Sequence, residues 1–363
     1  IQQSRFLKAC RGERTDCTIQ QSRFLKACRG ERTDCTPVWL MRQAGRYMPE
    51  YQRVRSKVTF LELCKRPELA CEVTVTAQER LGVDAAILFA DLLPILEPMG
   101  FKLDYIEKTG PVIFNPVTSP ADLSRVMEHD ARETMPFTAE AVRMLCRTLK
   151  PDIPLIGFSG LPFTLAAYAV EGGGSRNHER TKAFMHTHPR EWNALLDKLS
   201  NTIIKYVAMQ LEAGAHAIQL FDSWVGCLSP SDFREYVLPH TKKVVAGVKA
   251  AAAKSQAPVI LFGTGTATLL DAMNEARPDV MGIDWHTPLG EAWKRLGIKS
   301  VQGNLDPCVL FADVETVRRK AGEVMRDAGG RPGHIFNLGH GILPKTPVDN
   351  VLALVEYVHG FKL

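Results

Sequence analysis

The sequence predicts a single (β/α)8 TIM barrel with parallel strands. Three observations carry this: short aliphatic runs alternate with amphipathic stretches from Pro37 onward, eight such runs can be counted, and no Pro/Ser-rich linker divides them. The runs fall at 38–41, 85–89, 155–158, 217–221, 259–262, 280–283, 300–302 and 334–337. Between them, stretches at 68–81, 139–149, 192–213, 241–253, 267–276, 314–328 and 348–358 carry the apolar stripe of a helix that covers a sheet. An open doubly wound sheet is the competing architecture. It calls for a glycine-rich phosphate turn after the first strand, where this chain has MRQAGRYMPEY. Connections are long before Val259 and short after it, so elaborations are expected in the early loops.

With 363 residues, 45% of them hydrophobic, the chain can bury one large core or two modest ones, and composition does not choose between them. No run of about twenty apolar residues occurs, and the N-terminus lacks the basic, apolar, small-residue order of a secretory signal. A soluble cytoplasmic protein that engages no membrane is the expectation. The nine cysteines form no C-x-x-C pair, which suits reduced thiols and gives no reason to assign a metal or a disulfide. The net charge of +5 is evenly spread, without the basic clusters and interleaved aromatics that nucleic acid requires.

Residues 1–18 recur identically as residues 19–36. Each copy holds four basic and two acidic residues, hence +2, and one copy fewer would leave +3. Two units cannot make a solenoid. The chain therefore divides into residues 1–36, a duplicated segment whose first copy is expected to be artefactual or disordered, and residues 37–363, the barrel. In the second copy Ser22 is placed to cap a short helix through Phe24 and Leu25 that Gly30 ends.

In such a barrel the chemistry gathers at the C-terminal ends of the strands. After the first run come Arg42 and Arg46, four apart, with Arg55 further on, a set that suits an anionic ligand. Glu50 and Glu62 are near enough to neutralise them instead. The apolar run AAILFADLLP delivers Asp91, whose desolvated carboxylate needs something positive or N–H-rich to meet it; a helix cap or an arginine partner is the alternative role. GFSGLPFTLAAYAVEGGGS offers Phe158, Phe163 and Tyr168, which is equally readable as a core ring, and then three glycines that suit a mobile loop or close approach to a ligand. Phe221, Asp222 and Ser223 follow the fourth run, with no histidine-acid pair to make Ser223 a nucleophile, so a hydrogen-bonding role suits it. Asp284 and Asp306 read as caps or loop ties. His340, flanked by Gly339 and Gly341, has room to project into the mouth.

The segments MRQAGRYMPEY, ILFADLL, YAVEGGGS, QLFDSWVG, GIDW, QGNLDP and NLGHG resemble, in order and spacing, the motifs of the uroporphyrinogen decarboxylase family, from about Pro37 to the C-terminus. The resemblance implies a homodimeric, cofactor-free and metal-free carboxy-lyase of haem and chlorophyll precursor synthesis. Its substrate is uroporphyrinogen III, whose four acetate side chains become the methyls of coproporphyrinogen III. It further implies Asp91, Arg42, Tyr168 and His340 as catalytic residues. Arg42, Arg46 and Arg55 would hold substrate carboxylates, and Asp91 would accept hydrogen bonds from the pyrrole N–H groups. Tyr168, Ser223 and His340 would contact acetate or propionate groups, with Phe221 packed on the rings. The residue types suit the chemistry, because a protonated pyrrole is its own electron sink and an adjacent carboxylate stabilises it.

Two other readings make distinct demands. A zinc-dependent thiol methyltransferase on a related barrel needs His and Cys ligands at the mouth; NLGHG has no neighbouring cysteine, leaving Cys227 and Cys308, and zinc content separates the ideas. A non-catalytic tetrapyrrole binder would use the same arginines and aromatic surfaces, and product analysis separates it.

Overall fold

The computed structural model describes residues 16–107 and 109–362. Seven parallel strands lie side by side: β1 (Ala86–Ile87), β4 (Leu155–Gly160), β5 (Ala217–Asp222), β6 (Val259–Gly263), β7 (Val280–Gly282), β8 (Ser300–Leu305) and β9 (His334–Leu338). Strands β2 (Leu103–Ile106) and β3 (Gly110–Ile113) form a separate antiparallel hairpin. Every residue of β4, β6, β8 and β9 is buried. Of these, β6 (VILFG) and most of β4 (LIGFSG) read as near-continuous apolar runs, the pattern of a parallel sheet covered on both faces.

The predicted strand at 38–41 is corrected by the structure: only Val38 bridges Phe336, in parallel. The physical reason is that side chains take the N–H groups a ladder would use. Asp84 Oδ2 accepts from Val38 N at 2.8 Å, Gln43 Oε1 from Leu40 N at 3.1 Å and Asn337 Oδ1 from Met41 N at 3.1 Å. The segment still closes the ring, since Phe336 N donates to Pro37 O at 2.9 Å on one side and Asp84 N to Val38 O at 2.8 Å on the other. The predicted strand at 85–89 shortens to Ala86–Ile87 because Phe89 N turns to Thr74 Oγ1 at 3.0 Å.

Helices cover the outside as their stripes require. Pro67–Leu81 has proline in its first turn and ends on the left-handed Gly82. Val314–Ala328 has Asp313 as its cap, accepting from Thr316 N at 2.8 Å, and Gly329 beyond it. The helix expected at 267–276 shrinks to Leu270–Asn274, between a turn at Thr266 and a left-handed Arg277 ahead of Pro278. Inside the barrel Trp39 Nε1 donates to Gln302 Oε1 at 2.9 Å, and Gln302 Nε2 reaches Gln219 Oε1 at 3.4 Å. This polar thread satisfies groups that burial would otherwise penalise.

The second copy of the repeat is built into the fold. Ser22 caps Arg23–Cys28, whose Phe24 and Leu25 are buried, and Ser300 Oγ, at the start of β8, donates to Ala27 O at 2.8 Å. The helix thus closes the end of the barrel opposite the strand C-termini. Of the first copy, residues 1–15 lie outside the described residues, and Asp16–Gln20 is a helix spanning the junction. Among the described residues no helix is long and apolar enough to cross a membrane.

Elaboration does crowd the early loops. The β2–β3 hairpin, which the strand count did not foresee, sits between β1 and β4 in sequence and packs on the loop after Tyr168. Ile113 N donates to Gly172 O at 2.8 Å, and Val112 bridges Gly173.

Candidate active site

Arg42 takes a left-handed backbone, φ 61°, unusual for a residue with a Cβ. Its side chain lies across the NLGHG turn, so that a Cβ on Gly341 would stand 2.5 Å from Arg42 Cδ and 2.9 Å from Nε. From there its charge acts on Asp91, Tyr168 and His340.

The acids that could have neutralised the arginines are engaged elsewhere. Glu50 approaches Arg80 at 4.0 Å, and Glu62 closes a capping box with Thr59. Among the described residues Arg42, Arg46 and Arg55 form no ion pair. Arg46 and Arg55 share the neighbourhood of Tyr51, and Arg55 donates to Val58 O beside a cavity of about 470 Å³ lined by Arg55, Lys57, Phe60 and Tyr105.

Asp91 is half-buried and far from isolated. Oδ1 accepts from Leu93 N at 3.0 Å, which turns the chain into the short helix Pro94–Leu96, and also from the hydroxyl of Tyr105. Burial raises its pKa; Tyr105, Leu93 and the charge of Arg42 pull the other way. Tyr51, Tyr168 and Tyr206 also feel its charge, so four phenols lie within reach of one carboxyl group. Tyr105 was invisible to the reading of strand ends because it belongs to the inserted hairpin. The alternating KLDYI before Thr109 and Gly110 is the signal for the hairpin, but not for where its tyrosine points.

Tyr168 lies on Pro162–Glu171, half-buried, its ring 6.0 Å from that of Trp224. Burial and Asp91 push its pKa up, so the phenol keeps its proton. Phe221 stands edge-on to Phe158 at 5.8 Å and Phe262 at 6.1 Å, a half-buried aromatic floor. Beside it Asp222 is buried, accepting from Thr164 N at 3.1 Å and Thr164 Oγ1 at 2.7 Å; burial pushes its pKa up to about 7. Ser223 is half-buried with no hydrogen bond among the described residues. In the three-glycine stretch Gly172 and Gly173 lie against the hairpin, where a Cβ on Gly173 would stand 3.2 Å from Pro111 O. Gly172 caps its helix at φ 82° and would set a Cβ 3.3 Å from Ile113 O, so the glycines let β3 dock.

His340 Nδ1 accepts from Gly341 N at 2.6 Å, which assigns the proton of the neutral ring to Nε2. Burial, with Arg42 adding to it, pushes its pKa down to about 4. The ring is therefore a neutral donor near pH 7. Asp284 takes the N–H of Gly265 and that of His286, the latter at 3.1 Å, while Asp306 caps the turn at Cys308 N at 2.8 Å. Both brace the rim, as read from sequence. Among the described residues no three His, Cys, Asp or Glu side chains cluster as metal ligands would.

The uroporphyrinogen decarboxylase family profile matches residues 19–361, beginning at the first residue of the second repeat copy. The chain belongs to the uroporphyrinogen decarboxylase family. It is 51% identical to the uroporphyrinogen decarboxylase of Chloroflexus aggregans over 362 residues, covering 99% of this chain and 96% of that one. It is 50% identical to that of a Roseiflexus species, covering 99% of each. Among solved structures, a methyltransferase from Methanosarcina mazei superposes with a TM-score of 0.75 at 22% identity, covering 93% of this chain and 97% of that one. At that identity the likeness speaks for the barrel fold.

Proposed function

We propose that this chain removes carbon dioxide from the four acetate side chains of uroporphyrinogen III, leaving the methyl groups of coproporphyrinogen III. It is a carboxy-lyase of tetrapyrrole biosynthesis. The observation that carries the reading is the pairing of a carboxylate ringed by phenols with an arginine that has no acid of its own: a cation-stabilising group beside an anion-holding one.

The chemistry follows from these groups. A proton adds to the ring carbon next to the one that bears the acetate arm, and the ring becomes a cation conjugated with the arm-bearing carbon. The bond from the methylene to the carboxylate then breaks, its electron pair flows into the ring, and carbon dioxide leaves. A proton delivered to the exocyclic methylene and one lost from the ring restore the pyrrole with a methyl group. Asp91 faces the cation. At about 4 Å and an effective dielectric near 20 such a pair contributes about 4 kcal/mol, close to a thousandfold in rate. Arg42, Arg46 and Arg55 hold carboxylates, and for those that do not react the interaction is equal before and during reaction, so it sets affinity and orientation. Neutral His340 offers Nε2–H, and Tyr168 and Ser223 offer hydroxyls, to the carboxylates, while Phe221 packs on the macrocycle. The pyrrole supplies the electron sink, so the reading needs no cofactor.

With the family resemblance go a homodimer and a cytoplasmic location; sedimentation of the purified protein at the mass of two chains tests the first. The function itself is tested by anaerobic incubation with uroporphyrinogen and chromatography of the products. Stepwise loss of carboxyl groups down to the tetra-acid is expected. An unaltered octa-acid bound tightly to the protein would replace this reading with that of a binder.

A further inference from the structure

The hairpin contributes a residue that neither the strand-end pattern nor the reaction scheme above uses. Tyr105 lies on β2, opposite Pro111 in the hairpin register. Its ring packs on Phe60 at 4.7 Å, and Phe60 in turn meets Phe89 edge-on at 6.2 Å, two residues before Asp91. The hairpin is clamped at its far side. Ile113 N, on the partner strand β3, donates to Gly172 O at 2.8 Å, and Gly172 N to Tyr168 O at 2.9 Å, so the hairpin that carries Tyr105 is pinned through β3 to the helix that carries Tyr168. The phenol is thus fixed at its ring, at its strand and at its partner.

We propose that Tyr105 is a positioning residue for the decarboxylation: by donating its hydroxyl proton to Asp91 Oδ1 it fixes the carboxylate's rotamer and favours its charged form at the barrel mouth. This rests on Asp91 as the group that faces the substrate's pyrroles. The need for such a residue is physical. A carboxyl group drawn out of water reverts to its neutral acid unless donors or cations oppose that, and a neutral acid cannot stabilise a ring cation. The groups that act on Asp91 are Arg42 from the loop after the first stave, Tyr51 and Cys64 from two early helices, Tyr105 from the hairpin, Tyr168 from Pro162–Glu171 and Tyr206 from Pro189–Ala213. Arg42 brings positive charge to it, and among the described residues Tyr105 is the side chain that donates a hydrogen bond to the carboxylate. Leu93 N shares the same oxygen, which leaves the carboxyl plane held at one end.

The test compares Tyr105→Phe, Asp91→Asn and the parent protein as kcat against pH under anaerobic conditions. Tyr105→Phe keeps the ring on Phe60 and removes one oxygen. Its acid limb is expected to move to higher pH, with kcat about tenfold down at pH 6 and the deficit closing by pH 9. Carbon-13 NMR of the Asp91 carboxyl in the substrate-free protein should show the same upward displacement, independent of turnover. A profile that overlays the parent's, or a uniform loss at every pH, overturns the proposal. Asp91→Asn separates the two levels: if it is as active as the parent, the role of Asp91 itself falls, whereas if it is dead while Tyr105→Phe behaves as the parent does, only the role of Tyr105 falls.

Discussion

Gly341 leaves room for Arg42: a Cβ at position 341 would lie 2.5 Å from Arg42 Cδ and 2.8 Å from its Cγ, and the guanidinium crosses the turn through that gap. The obstructing atoms belong to a flexible side chain, so Gly341→Ala should displace the arginine without harming the fold. We expect KM to rise about tenfold, as loss of one charge-assisted hydrogen bond implies, with the melting temperature shifted by no more than about 3 °C. Steady-state kinetics and calorimetry check this; an unchanged KM would mean that Arg42 holds no substrate carboxylate.

Asp91→Asn keeps the shape and the acceptor for Tyr105 and removes the charge. If the carboxylate stabilises a cation formed during reaction, kcat falls about 100- to 1000-fold while KM changes less than about threefold. A variant with normal kcat refutes that role, and one with a large rise in KM alone makes Asp91 a binding group.

Asp222 gives a stability signature of definite sign. Its folded pKa is about 7 against the usual 3.8, so between those values the folded state holds a proton that the unfolded chain has lost. Stability therefore declines as pH rises through that window and levels off above it. Asp222→Asn retains an oxygen for Thr164 and cannot titrate, so its denaturation free energy should gain on the parent's by up to about 4 kcal/mol between pH 4 and 8. Parallel curves would show that Asp222 is charged in the folded protein.

Gly172 is the hinge of the hairpin clamp, at φ 82° with Ile113 O close by. Gly172→Ala should cost about 1–2 kcal/mol through the left-handed backbone alone. Gly172→Asn should cost less, because asparagine tolerates that conformation. Chemical denaturation measures both, and equal losses would point to steric conflict with β3 in place of backbone strain.

Much of this site was legible in the residues because barrels bring strand ends together by topology. Once eight staves were counted, Arg42, Asp91, Phe221, Ser223 and His340 had to fall on one rim, and Asp284 and Asp306 read correctly as braces. The alternation of apolar runs with amphipathic stretches determined the parallel sheet, its helical cover and the order of the staves, since burial of each stripe depends on spacing along the chain. Tertiary structure alone decided the rest. That the first stave is bound by Asp84, Gln43 and Asn337 in place of a ladder, that the glycines after Tyr168 serve a hairpin and that Tyr105 meets Asp91 are contacts between residues distant along the chain or held by side-chain direction. Propensity and period describe neighbours within an element; which side chain crosses space to meet another is set by packing, and packing exists only in the folded chain.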